Sequence, residues 1–156
     1  MKPLIKTFII SVIIVTSFAS CDRSVVFEKN VKLQEEKWHK DSIVEFSTSI
    51  NDTTNLHNIY LNLRHSRDYE FRNFYLFFET LMPDGKIVRD TLECLLADKS
   101  GKWHGKGFGR IKSNRFHFRE NVWFPKKGDY TFRMQQAMRK DEIEGIINIG
   151  VRIEKK

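Results

Sequence analysis

The chain has two cysteines, Cys21 and Cys94, in 156 residues. So few exclude a disulfide framework, and packing must hold the fold. Its apolar run, Phe8 to Phe18, is shorter than the ~20 residues a helix needs to cross a bilayer, which argues against a spanning anchor. The histidines His39, His57, His65, His104 and His117 form no His-x-His or His-Glu-x-x-His ligand set, and they read as scattered surface residues. No serine lies in a Gly-x-Ser-x-Gly elbow. No glycine cluster ends in the Gly-Lys-Ser/Thr of a phosphate loop. Asp141, Glu142 and Glu144 follow Arg139-Lys140 and read as a charged turn, although two glycosidase carboxylates drawn from separate strands stay open as an alternative. The net charge is +7, yet basic residues are mixed with acids and form no stripe, which argues against nucleic acid. These absences lead us to expect no catalytic residues, no metal, no cofactor and no small-molecule substrate.

What is present begins with Cys21. Lys2 and Lys6 precede the apolar run, and Phe18-Ala19-Ser20-Cys21-Asp22 follows it. A positive n-region, an apolar h-region and small residues before a cut site make a secretory signal. Small residues directly before a cysteine suggest lipid attachment to Cys21 and cleavage just before it. An ordinary signal peptide with an incidental cysteine is the simpler alternative. The expected divisions are a removed signal peptide over 1–20, a lipidated N-terminus and tether over 21–36 with one possible first strand at Val25-Val26-Phe27, and a folded domain over 37–156. Removing residues 1–20 takes away Lys2 and Lys6 and no acid, so the mature charge is +5. Cys94, in an apolar stretch without a partner, reads as a buried inert thiol.

The folded part shows the period of two that marks half-buried strands. Val44, Phe46, Thr48 and Ile50 alternate with polar residues, as do Ile59, Leu61 and Leu63. Phe71 to Met82 is apolar on both faces and reads as a central strand, or one whose outer face meets a partner. Pro83-Asp84-Gly85-Lys86 signals a hairpin, with Ile87 to Leu96 as its return strand. Gly101, Gly105, Gly107 and Gly109 crowd around Trp103 and suggest a flat or bulged strand. A turn is expected at Ser113-Asn114, and further strand pieces around Phe116, Phe118, Val122 and Phe124. Gly128-Asp129-Tyr130-Thr131-Phe132 looks like a sandwich corner, where a Tyr hydroxyl bonds back to the turn it follows. Met138 to Glu144 is the one candidate helical turn, and Ile147 to Ile153 is a last strand. Eight or nine short strands with turns between them predict an all-β, single-domain antiparallel β-sandwich. Its expected core is Phe46, Ile59, Leu61, Leu63, Phe74, Leu76, Phe78, Phe132, Ile149 and Val151.

The motifs also resemble those of the gliding-motility lipoprotein GldH family of Bacteroidota. They are Trp38 with Asp41 and Phe46; Leu63-Arg64 with Tyr69, Asn73 and Leu76-Phe77; Asp90-Thr91-Leu92-Glu93; Leu96-Ala97-Asp98; and Gly101-Lys102-Trp103. Gly128-Asp129-Tyr130-Thr131-Phe132, Gln136-Ala137-Met138-Arg139, Gly145-Ile146 and Gly150-Val151-Arg152-Ile153 complete the set. The resemblance implies a lipid-anchored cell-envelope protein needed for gliding, without enzyme activity, working beside the type IX secretion machinery. Its implied partners are the membrane, through the lipid on Cys21, and other gliding or secretion envelope proteins. We expect it at the outer membrane. It supplies no binding residues. From composition alone, Trp103, Gly105, Gly107 and Gly109 are the candidate interaction surface, because a glycine-rich backbone lets something come close. The alternative is a surface-anchored glycan-binding module using exposed rings among Trp38, Trp103 and Trp123.

Overall fold

The computed structural model describes residues 24–156. The expected signal peptide and Cys21 lie outside the described residues. Four strands form one antiparallel sheet: β1 (Val25–Lys32), β4 (Leu56–Ser66), β7 (Ile111–Trp123) and β10 (Ile146–Lys155), in the order β1-β10-β4-β7. A second sheet holds β3 (Ile43–Ile50), β5 (Asn73–Leu81), β6 (Ile87–Leu95) and β8 (Gly128–Gln136), in the order β3-β8-β5-β6. β2 (Lys37–His39) and β9 (Glu142–Glu144) pair as a short separate ribbon. The fold is the expected antiparallel β-sandwich, with ten strands, two of them only three residues long.

Alternation places the core. In β4 the buried residues are His57, Ile59, Leu61, Leu63 and His65, and the residues between them face out. Ile149, Val151 and Ile153 of β10 continue this inner face, and Phe46, Phe74, Leu76, Phe78, Phe132 and Met134 oppose it. All ten residues of the expected core are buried. Phe78 bridges the layers, its ring centroid 4.5 Å from Phe118 of β7 and 5.9 Å from Phe132 of β8. The corner also forms as expected: the Tyr130 hydroxyl donates to the Lys126 carbonyl at 2.8 Å. Met82 and Lys86 close the Asp84-Gly85 hairpin, with the Met82 amide donating to the Lys86 carbonyl at 2.8 Å.

Four local expectations need correction. The folded domain begins at Val25, not at residue 37, because β1 pairs with β10 from Val25↔Glu154 to Lys32↔Asn148. Ser113 and Asn114 do not turn: they pair with Arg64 and Leu63 inside β7, which runs unbroken with bulges to Trp123. Met138 to Glu144 forms bends and β9, with no helical turn. The glycine-rich segment is a looped arm, closed on its own root by the isolated bridge Ala97↔Trp103 and touching β7 by the bridge Lys106↔Ser113.

The sandwich therefore has two distinct ends. The entry end gathers the start of β1, the finish of β10, the turn joining β3 to β4, the β5–β6 hairpin and the β7–β8 turn. The far end carries the β2–β9 ribbon and the glycine-rich arm. Trp38 of the ribbon is buried there, its indole N–H donating to the Ser42 carbonyl at 2.9 Å, its ring centroid 5.7 Å from Phe74.

Candidate functional site

The arm between β6 and β7 collects the sequence candidates at the far end. Asp98 shapes its root: the carboxylate accepts from the Ser100 and Lys102 amides at 2.8 and 3.0 Å. Trp103 is half-buried and lies on His65, with centroids 4.6 Å apart. The Trp103 side of the arm is thus packed against its own sheet. Gly105 lies close against Asn114 and Lys112. Gly107 has φ +130°, and a Cβ there would lie 2.7 Å from the Ile111 carbonyl oxygen, so only glycine fits. Gly109 ends the arm with open space around it. The return root is held by Arg110, whose guanidinium donates to Asp68 at 3.0 Å and to Glu36 at 2.9 Å. Those two carboxylates hold the Arg110 pKa above its ordinary value.

Between these fixed roots, Phe108 stands wholly exposed. Sequence reasoning singled out the glycines around it and missed the ring. A phenylalanine in a glycine-rich loop carries no periodic signal, and its exposure depends on how the two roots dock.

His65 is buried beneath the arm and His57 is buried at the start of β4, against the expectation that the histidines are surface residues. The His65 Nδ1–H donates to the Ser66 carbonyl at 2.8 Å, and Nε2 is buried without a partner. Desolvation pulls its pKa below the usual 6.5, so it stays neutral and packs as an aromatic. Burial pushes the Cys94 thiol up to about 12. It is an inert core residue, as expected. Asp141 pairs with Lys40 at 2.7 Å, and Lys37 lies 3.5 and 3.4 Å from Glu142 and Glu144. These acids are neutralised surface charges. Among the described residues no group of His, Cys, Asp and Glu is placed to hold a metal ion.

The three tryptophans do not share a groove. Trp38 is buried, Trp103 is at the far end, and Trp123 is exposed at the entry end, its indole N–H donating to the Thr53 carbonyl at 2.7 Å. A polar groove of about 680 Å³ opens elsewhere, on the outer face of the β1-β10-β4-β7 sheet, walled by His104 to Lys106 of the arm. Its floor is ordered by charge. Glu28 accepts from Arg152 and, at 2.8 Å, from the Asn62 amide. Burial would raise the Glu28 pKa, but the hydrogen bonds from Arg152 and Asn62 outweigh it and hold the carboxyl below its ordinary value. Gly150 leaves room for Asn30 to lie across β10: a Cβ there would fall 2.1 Å from Asn30 Oδ1.

Comparison with known proteins places the chain. The family model described as "GldH lipoprotein" matches residues 25–153. The "Gliding motility lipoprotein GldH homolog" of Christiangramia forsetii is 39% identical over 155 residues, covering 95% of this chain and 93% of that one. "Gliding motility lipoprotein GldH" of Flavobacterium johnsoniae is 37% identical over 144 residues, covering 88% and 89%. Among solved structures, a carbohydrate-binding module from a family 9 glycoside hydrolase of Ruminococcus flavefaciens is similar at a TM-score of 0.43 and 10% identity, covering 83% of this chain and 98% of that one. The family match spans the whole sandwich from the first residue of β1 into the end of β10: this chain belongs to the GldH lipoprotein family.

Proposed function

We propose that the protein is a non-enzymatic accessory component of gliding motility, lipid-anchored through Cys21 at the outer membrane and working beside the type IX secretion machinery. Family membership carries this reading, since both curated relatives bear the gliding name over nearly their full length. The far-end arm supplies its working surface. Arg110 and Trp103 fix the two roots, so Phe108 is presented at low entropic cost to a partner that buries it. An exposed aromatic of this kind is a typical anchor of a protein interface.

Phe108→Ser tests the arm. The variant is expected to keep its unfolding midpoint, because the ring touches no core residue and exposed substitutions stay within about 0.5 kcal/mol. It is expected to lose co-purifying envelope proteins and colony spreading. A Phe108→Ser strain that spreads normally would remove the arm from the proposal, and a deletion strain that spreads normally would remove the motility role itself.

The groove on the outer face favours one second reading, a glycan-binding module. Asn30 and Asn148 offer amides suited to hydroxyls, and exposed Arg64 forms no ion pair with any described residue. In gels cast with polysaccharide, this reading expects retarded migration that Arg64→Ala abolishes. Equal mobility of both proteins in every polysaccharide tested would sink it.

A further inference from the structure

We infer that the entry end of the sandwich is a membrane-docking surface, which seats the domain directly on the lipid headgroups with Trp123 at the interface. The inference rests on the proposed anchor at Cys21 and adds an orientation to it. The first strand residue, Val25, is four steps from Cys21, so the linking chain spans at most about 14 Å. The end of the domain at which β1 begins therefore cannot stand far from a lipid held by Cys21.

That end exposes large apolar side chains, as the far end does with Ile43, Leu95, Phe108 and Ile111, but it alone lies next to the proposed anchor. Trp123 is 59% exposed, and Leu56 and Val26 are 42% and 41% exposed. Leu56 and Trp123 are register partners at the ends of β4 and β7, and Val26 lies at the start of β1, next to Val25, which pairs with Glu154. The Trp123 indole is fixed by its bond to Thr53, so its ring plane is set before it meets any partner. Tryptophan, with an apolar body and a polar N–H, is favoured at the boundary between headgroups and acyl chains. Lysines lie beside it, Lys155 among them paired with Asp52 at 3.3 Å. The Lys155 and Lys156 backbone amides donate to the Ser24 and Leu56 carbonyls, which places both residues at this end. Lys127, in the adjoining β7–β8 turn, meets no acid among the described residues. Lysines beside an exposed indole complement an anionic leaflet. A second copy of the chain or a protein ligand would equally cover apolar residues, but only a bilayer is brought there by the anchor itself.

The test uses the mature protein purified from membranes in detergent and reconstituted into vesicles of phosphatidylethanolamine and phosphatidylglycerol, with or without bromine on the upper acyl chain. Brominated lipid is expected to quench tryptophan emission, and Trp123→Phe is expected to abolish that quenching, since Trp38 is buried and Trp103 lies at the far end. Trp123→Phe keeps an aromatic ring of similar shape, so the fold is retained, and its unfolding midpoint checks this. Absence of quenching in the parent protein, or quenching that survives Trp123→Phe, overturns the docking surface while leaving the anchor intact. A mature chain absent from the membrane fraction overturns the anchor and the orientation together.

Discussion

Cys21→Ser is expected to move the protein from the membrane fraction to the soluble fraction and to abolish incorporation of labelled fatty acid. On the proposed reading the chain is cut ahead of Cys21, so the lipid on Cys21 is what holds the mature protein to the membrane. Acyl chains contribute about 0.8 kcal/mol per buried methylene, and stable attachment needs two chains or one chain with a second signal. A diacylglyceryl group meets that requirement by itself. The entry-end residues Val26, Leu56 and Trp123 bury little by comparison, so they orient a tethered domain but do not retain an untethered one. Fractionation with fatty-acid labelling reads the result. Undiminished label in Cys21→Ser would show that Cys21 is not the acceptor.

Phe132→Ala is expected to cost about 3–5 kcal/mol of unfolding free energy, a large share of the roughly 5–15 kcal/mol available to a domain. Phe132 is fully buried in β8 between two neighbouring strands, opposite Phe46 on one side and Thr80 on the other. Truncation leaves a cavity against Phe78, itself wedged between the sheets. β-Sheet backbone on both sides resists collapse into that space. Thr131→Ala, the outward neighbour, provides the comparison and is expected to cost about 1 kcal/mol or less, the hydrogen bond to Ser47 included. Urea unfolding followed by far-UV circular dichroism measures both. A loss below about 1 kcal/mol for Phe132→Ala would mean that this ring is not part of the central packing.

The strands that bury one clean face were legible in the sequence. β3, β4 and β8 each alternate, and the alternation survives because a one-residue slip would turn every apolar side chain to solvent. The Tyr130 corner and the Asp84-Gly85 hairpin were legible because local bonds make them. β1 was legible only in part. Val25-Val26-Phe27 reads as a possible first strand, but Glu28, Lys29 and Asn30 read as tether, because an edge strand buries little and its pairing with β10 joins residues more than a hundred positions apart. Ser113 and Asn114 have turn chemistry, and only pairing with Arg64 and Leu63 holds them extended. The spacing of Gly105, Gly107 and Gly109 imitates a strand, whereas the φ values of +130° and +66° at the last two belong to a loop. At the candidate site, Cys21 and Trp103 were visible as residue types. The exposure of Phe108, and the company that Leu56 keeps with Trp123, arise from tertiary docking and leave no local signature.

β7 is the one strand that runs from the roots of the arm to Trp123. Its 13 residues, at about 3.3 Å each, measure roughly 40 Å. With Trp123 at the headgroups, this strand acts as a ruler. It sets the height at which Phe108 is offered above the lipid, and the β4 ladder beside it keeps that height from varying. A protein that grips the arm is thereby selected by altitude as well as by shape: it must present its own pocket one sandwich-length above the leaflet, whatever the sequence of the short link below.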